Sequence, residues 1–270
     1  MDWWQAFLLG IVQGLTEFLP VSSSGHLMIA RDILGVEAEG FLDFTVAVHF
    51  ATVLSTIVVF RKEIVGIFAG LFKFRLNDET DYVFKICLSM IPVAIVGLFF
   101  KDSVEGLFGD NLHTVAVCLL VTAVLLSLSD YLSGHLKIGN TYRNGISWWQ
   151  ALVVGLGQAC AIAPGLSRSG TTIATGLLCG VKRENMAQFS FLMVLIPIIG
   201  EQSLDVLKSV TGEVDLGGGI GILPLVVGAL AAFLSGLFAC KTMVALVKKA
   251  KLYWFSIYCA AVAVLLLVFA

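Results

Sequence analysis

The sequence predicts an all-α integral membrane protein made of two inverted-topology repeats, each a re-entrant helical hairpin plus three transmembrane helices. Three observations carry that expectation: apolar runs along the whole chain, an internal repetition, and a one-sided distribution of Lys and Arg. The chain reads as a single membrane domain over residues 1–270, with repeat one at about 1–145 and repeat two at about 146–270.

Of the 270 residues, 58% are hydrophobic and 13% charged, against about 25% charged in an ordinary soluble domain. Apolar runs near bilayer-spanning length occur at Phe44–Phe60, Val83–Phe100, Val115–Leu128, Met186–Leu207, Leu223–Ala239 and Tyr253–Ala270. Charged residues gather between them, the pattern of a polytopic helical bundle. The short alternating segments of a β-barrel do not appear. The net charge of −2 has no basic stripe with it, so no nucleic-acid partner is expected. Met1-Asp2-Trp3-Trp4 lacks the basic region and cleavage site of a signal peptide, so the mature protein is expected to begin here. Cys87, Cys118, Cys160, Cys179, Cys240 and Cys259 stand singly in apolar segments without C-x-x-C spacing. They read as small buried hydrophobes, with no zinc or disulfide framework.

Trp3-Trp4-Gln5-Ala6 returns as Trp148-Trp149-Gln150-Ala151, a shift of 145 positions (148 − 3). At that shift Gly10 matches Gly155, Gln13 matches Gln158, Ser22 matches Ser167, Ser24 matches Ser169 and Gly25 matches Gly170. One register for all of these implies two structural repeats. Each opens with an apolar helix (3–19, then 148–163), a polar break, and a short apolar stretch (His26–Val36, then Thr171–Val181). Eleven helical residues reach roughly 17 Å, about half the hydrocarbon core. Each pair is therefore either a re-entrant hairpin or one interrupted span.

Lys and Arg separate the two. Arg31 and Arg168 lie inside the pairs and are set aside. Re-entrant hairpins put Arg61, Lys62, Lys73, Arg75, Lys85, Lys137, Arg143, Lys182, Arg183, Lys241, Lys248, Lys249 and Lys251 on one side, with only Lys101 and Lys208 on the other: 13 against 2. Interrupted spans divide the same residues 8 against 7. Only the first assignment gives an orientation, with the rich side cytoplasmic. Three full spans per repeat then invert one half relative to the other, so the two polar breaks meet near the midplane. Irregular backbone survives there only when enclosed by protein or lining a wet cavity.

The first break reads Gln13-Gly-Leu-Thr-Glu17-Phe-Leu-Pro20-Val-Ser22-Ser23-Ser24-Gly25-His26. Gln13 and Glu17, four apart, share a helix face. A carboxylate inside an apolar segment is costly unless protonated, paired or wet, so Glu17 points to function more than to a packing contact. His26 could merely cap or pack, but beside a carboxylate and three hydroxyls it is a candidate for chemistry. The second break reads Pro164-Gly165-Leu166-Ser167-Arg168-Ser169-Gly170-Thr171-Thr172. Free N–H groups at a helix start favour an anion, and Arg168 adds a planar fork matched to phosphate oxygens. Packing explains small hydroxyl residues in membrane helices; it does not explain an arginine at that depth.

The two breaks resemble the paired motifs of the undecaprenyl-diphosphate phosphatase family, the bacitracin-resistance proteins. Gln13–His26 is similar to its acidic-or-Gln, x-x-x, Glu motif followed by P-V-S-S-x-G-H, and Pro164–Thr172 to P-G-x-S-R-S-x-x-T. The resemblance spans the chain; the motif set of the other membrane phosphatase class is not present, despite Ser24-Gly25-His26. It implies hydrolysis of undecaprenyl diphosphate to undecaprenyl phosphate and phosphate, recycling the lipid carrier of cell-wall synthesis in the bacterial cytoplasmic (inner) membrane. On it, Glu17, Ser23 and His26 would be catalytic, and Arg168, Ser167, Ser169, Thr172, Gln13 and Ser22 would hold the diphosphate. Gln13 stands at the family's first acidic position and cannot act as a second base. The resemblance also implies stimulation by a divalent cation, Mg or Ca, bridging Glu17 and the substrate phosphates, with no organic cofactor.

Beyond the polyprenyl diphosphate and membrane lipid, a second copy of the chain in a homodimer stays open as a partner. The nucleophile is either Ser23, activated by His26 or Glu17, or His26 itself with Glu17 as acid/base. The rival function is a secondary transporter or lipid-phosphate flippase with a midplane anion site, since broken helices in inverted repeats are also the plan of carriers. A structural subunit without chemistry would leave Glu17, His26 and Arg168 unexplained.

Overall fold

A computed structural model describes the chain except residues 38–39, 74, 76, 101–105, 107–110, 134–143, 164, 211–219, 250 and 270, with backbone alone at 198, 201–210 and 248–249. The described residues form eleven helices and no strand: α1 (Trp3–Thr16), α2 (Ser23–Ile33), α3 (Phe41–Val59), α4 (Arg61–Leu71), α5 (Asp78–Phe99), α6 (Leu112–Ser133), α7 (Trp148–Cys160), α8 (Arg168–Leu178), α9 (Arg183–Val210), α10 (Ile222–Lys249) and α11 (Tyr253–Phe269). Among them α3, α5, α6 and α10 are long and apolar enough to cross a membrane. Their outward faces carry exposed Leu54, Ile95, Val124 and Leu234, as helices facing acyl chains require. The protein is an all-α, multi-pass membrane protein. Lys101, Lys137 and Arg143 of the charge argument lie outside the described residues, as do the side chains of Lys208, Lys248 and Lys249.

The Trp-Trp-Gln run has a structural reason. The Asp2 N–H donates to Gln5 Oε1 at 2.7 Å, capping α1, and Gln5 Nε2 donates to the Leu34 carbonyl just past α2 at 3.0 Å. The start of α1 thus touches the end of α2, and the two form an antiparallel hairpin. The same wiring recurs 145 residues on. The Ser147 N–H donates to Gln150 Oε1 at 2.9 Å, and Gln150 Nε2 donates to the Cys179 carbonyl at 2.8 Å. One residue type closes the helix N-terminus and the hairpin together.

Close backbone approach holds each hairpin in the bundle. A Cβ at Gly10 would lie 2.3 Å from the Gly228 carbonyl oxygen of α10, and one at Gly155 would lie 2.2 Å from the Ser89 carbonyl of α5. No side chain fits at either place, so only glycine lets these helices meet. α11 lies along α6, where Ser256 Oγ donates to the Ala123 carbonyl at 2.7 Å. Lys85, 1% exposed, is matched on all three hydrogens: it pairs with Asp81 at 2.6 Å and donates to Asn144 Oδ1 at 3.0 Å and the Ile146 carbonyl at 2.8 Å. A buried ammonium needs such a set to offset its lost hydration. Arg183 similarly pairs with Asp130 and donates to Ser133 Oγ.

Two sequence expectations change. The short helices begin earlier than His26 and Thr171, at Ser23 and Arg168, because Ser22 and Ser167 act as N-caps, accepting from the N–H of Gly25 and Gly170. The Ser/Gly/Arg residues assigned to irregular breaks therefore occupy first helical turns. In addition, the connection after α3 contains α4, whose Ile64 and Ile67 pack on the core while Val65 and Phe68 face outward. This amphipathic segment follows α3 directly, so its apolar residues merge with the preceding run and give no separate signal.

Candidate active site

α1 ends at Thr16, with Glu17 as its C-cap. The chain then turns through Leu19–Val21 into Ser22, the one described non-glycine residue at positive φ (70°). Such a conformation costs of order 1–3 kcal/mol and persists where its surroundings enforce it. Ser22 is the N-cap of α2, and its carbonyl oxygen accepts the first bond of that helix. That oxygen accepts from the His26 backbone N–H at 3.1 Å and from His26 Nδ1 at 2.8 Å. Because a carbonyl only accepts, Nδ1 carries a hydrogen.

Three groups converge on one carboxylate oxygen. Glu17 Oε2 accepts from Ser23 Oγ at 2.6 Å and from Gln13 Nε2 at 2.8 Å, and His49 Nε2 of α3 lies 3.7 Å away. The His49 ring is oriented by Nδ1, which donates to the Thr45 carbonyl at 2.8 Å. Short contacts to a carboxylate are the stronger class of hydrogen bond, and they point the Ser23 hydroxyl at a base. Gln13 Oε1 is buried with no partner among the described residues.

The second break meets this constellation directly. Ser169 Oγ donates to the Leu19 carbonyl at 3.1 Å, tying one break to the other. Arg168, first residue of α8, lines one narrow cavity together with Glu17, Thr52, Thr56, Ser169 and Ser190. Ser167 caps α8 and lies 3.4 Å from Ser169 Oγ. Ser22 caps α2 with the same 3.4 Å spacing to Ser24. Thr172 Oγ1 donates to the Arg168 carbonyl at 2.9 Å and sits 2.6 Å from Ser190 Oγ. Thr172 and Ser167 are fully buried, with hydroxyls engaged by the protein itself, so they shape the start of α8 around Arg168. Gly25 and Gly165 both pack on Val115 of α6, a Cβ at Gly25 meeting Val115 Cγ1 at 2.8 Å.

His26 stands one turn beyond Ser23 but faces elsewhere. Its Nε2 lies 2.8 Å from the Tyr258 hydroxyl of α11, and the two rings stack at 5.5 Å. The structure thus brings Gln13, Glu17 and Ser23 together, places Arg168 and Ser169 across the same cavity, and turns the His26 ring toward Tyr258.

The sequence matches the family described as bacitracin resistance protein BacA over residues 6–265. This chain belongs to that family. Among BacA-family relatives, an undecaprenyl-diphosphatase of Parabacteroides distasonis is 57% identical over 260 residues, covering 96% of this chain and 95% of its own. One of Bacteroides fragilis is 54% identical over 268 residues, covering 99% and 98%. One of Methanobrevibacter smithii is 38% identical over 279 residues, covering 98% and 96%.

Sequence reasoning missed two residues that the structure places against the candidate site, His49 beside Glu17 and Tyr258 beside His26. His49 had a signal: an ionisable residue inside a span is a functional candidate on the same ground as Glu17. Tyr258 had none, because a tyrosine near the end of an apolar run is ordinary at a membrane interface.

Proposed function

We propose that the chain hydrolyses undecaprenyl diphosphate to undecaprenyl phosphate and inorganic phosphate, regenerating the lipid carrier for peptidoglycan synthesis in the bacterial cytoplasmic membrane. The observation that carries this reading is the 2.6 Å hydrogen bond from Ser23 Oγ to Glu17, at a cavity shared with Arg168. A nucleophile, a base and an anion ligand are what phosphoryl transfer needs; anion transport needs only the last.

Arg168 and the N–H groups at the start of α8 hold the diphosphate and offset charge on the transferring phosphoryl group. Glu17 takes the Ser23 proton as Oγ bonds to the terminal phosphorus. The bond to the bridging oxygen breaks, and undecaprenyl phosphate leaves with the proton that Glu17 returns. Water then hydrolyses the phosphoserine: His26 accepts a proton from the water and releases it to solvent, and Glu17, which faces Ser23, relays a proton back to Ser23 Oγ as phosphate departs. The direction of the Ser23 O–H, toward Glu17, supports serine as nucleophile over His26. Glu17 and Gln13 Oε1, buried with no partner among the described residues, would hold a divalent cation. No cluster of three His, Cys, Asp or Glu exists among the described residues, so the substrate phosphates would supply the further oxygens. The cation's chemistry there would be to neutralise phosphate charge.

The two hairpins are read as re-entrant and the halves as inverted repeats. In support, Gln5–Leu34 and Gln150–Cys179 close both hairpins in the same way. The packing also exchanges between halves, with α1 on α10 and α7 on α5. The excess of Lys and Arg on one side makes that side cytoplasmic. The polyprenyl tail lies between spans in the apolar surroundings of the site.

The test is phosphate release from undecaprenyl diphosphate by detergent-purified protein. An enzyme yields phosphate without a sealed compartment. A carrier yields none, and that result would overturn the proposal.

A further inference from the structure

We infer that Tyr258 is a positioning residue for His26, the inference resting on the assignment of His26 to proton transfer. Nδ1 of His26 is committed to the Ser22 carbonyl at 2.8 Å, so in the neutral ring Nε2 carries the lone pair. The Tyr258 hydroxyl, 2.8 Å away, donates to it. The rings stack with 14° between their planes, so Tyr258 sets both the tilt of the imidazole and the partner of its basic nitrogen. Tautomer and ring orientation follow from the bond the second nitrogen makes.

Tyr258 is itself held in register. Ser256 donates to the Ala123 carbonyl at 2.7 Å and lies 2.6 Å from Ser127 Oγ of α6. The Cys259 S–H donates to the Pro20 carbonyl at 3.6 Å, tying α11 to the first break. Polar contacts on either side of Tyr258 thus fix α11 against both α6 and the turn that leads into α2. The hydroxyl has a fixed origin from which to hold the ring, and water entering at Nε2 takes over its bond in the same direction.

A double-mutant cycle on undecaprenyl diphosphate hydrolysis tests this. Tyr258→Phe keeps the stacked ring and removes only the hydroxyl. It should lower kcat roughly tenfold, the scale of one hydrogen bond, with KM unchanged. In a His26→Ala background the same change should have no further effect, because Tyr258 acts only through that ring. Trp254→Phe, exposed on the same helix, should match wild type. An unchanged kcat in Tyr258→Phe, or equal losses with and without His26, would overturn the assignment. If His26→Ala leaves no measurable turnover, carbethoxylation of His26 by diethyl pyrocarbonate decides. It should run severalfold faster in Tyr258→Phe, where Nε2 is uncapped, and an unchanged rate overturns the proposal. Wild-type turnover in His26→Ala would instead remove His26 from the reaction, and Tyr258 with it.

Discussion

Ser23 and Glu17 are joined by a 2.6 Å hydrogen bond across the turn between α1 and α2. The turn exists because Glu17 ends one helix and Ser22 caps the next. Backbone geometry therefore fixes the distance, with Gln13 holding the carboxylate from the preceding helical turn. On the proposed reading, that hydroxyl is a nucleophile with its base already in place, at little reorganisation cost.

Glu17→Gln keeps the shape but can neither accept the Ser23 proton nor bind a cation. Turnover should fall roughly 100-fold or more, the usual scale for losing such a group. Glu17→Asp, retracted by one methylene, should retain a partial rate. Steady-state phosphate release measures both, and an active Gln variant with a dead Asp variant would assign Glu17 to packing.

Arg168→Lys should lose most activity while inserting and purifying normally. Lysine keeps the charge but not the planar fork that engages two phosphate oxygens. Near-normal turnover in this variant would take Arg168 out of the site.

His49 lies 3.7 Å from Glu17 Oε2 with its ring held by Thr45. His49→Leu removes the polar group facing the carboxylate across 3.7 Å and should lower kcat severalfold. His49→Gln keeps a polar group there and should exceed the leucine variant. Equal rates for the two would show that polarity at position 49 does not matter.

Gly155→Ala places a methyl against the Ser89 carbonyl, where a Cβ would lie at 2.2 Å. Forcing α7 from α5 should cost about 1–3 kcal/mol, the range for overpacking, read as a lower melting temperature in detergent. Gly66→Ala in α4 meets nothing within 4 Å and should be neutral or slightly stabilising, since alanine favours helix. Equal behaviour of the two variants would contradict close packing of α7 on α5.

Cysteine labelling of intact cells should reach positions in 101–111 and 210–220, and reach 73–81 and 137–145 only after the membrane is opened. Equal labelling, or the reverse, would overturn the inverted arrangement and its orientation.

The helices corresponding to all six apolar runs were legible, because hydropathy is a local property that a membrane amplifies. So were Gln5 and Gln150 of the repeated Trp-Trp-Gln run, each of which donates to the carbonyl that ends the following short helix. The earlier starts of α2 and α8 were not, because a serine between apolar segments becomes a cap only when its backbone turns outward.

By itself the sequence determined that this chain lies in a membrane, that it repeats itself, and that Glu17, Ser23, His26 and Arg168 stand at two polar breaks. Those are properties of residue type and spacing along one strand of chain. Only the tertiary structure decided which groups share an atom. Ser23 rather than His26 meets Glu17, His49 approaches from α3, and Tyr258 holds His26 from the last helix. His26 and Tyr258 are separated by 232 positions. Nothing local brings them together; the packing of α11 on α6 does, through contacts that exist only once the bundle has closed.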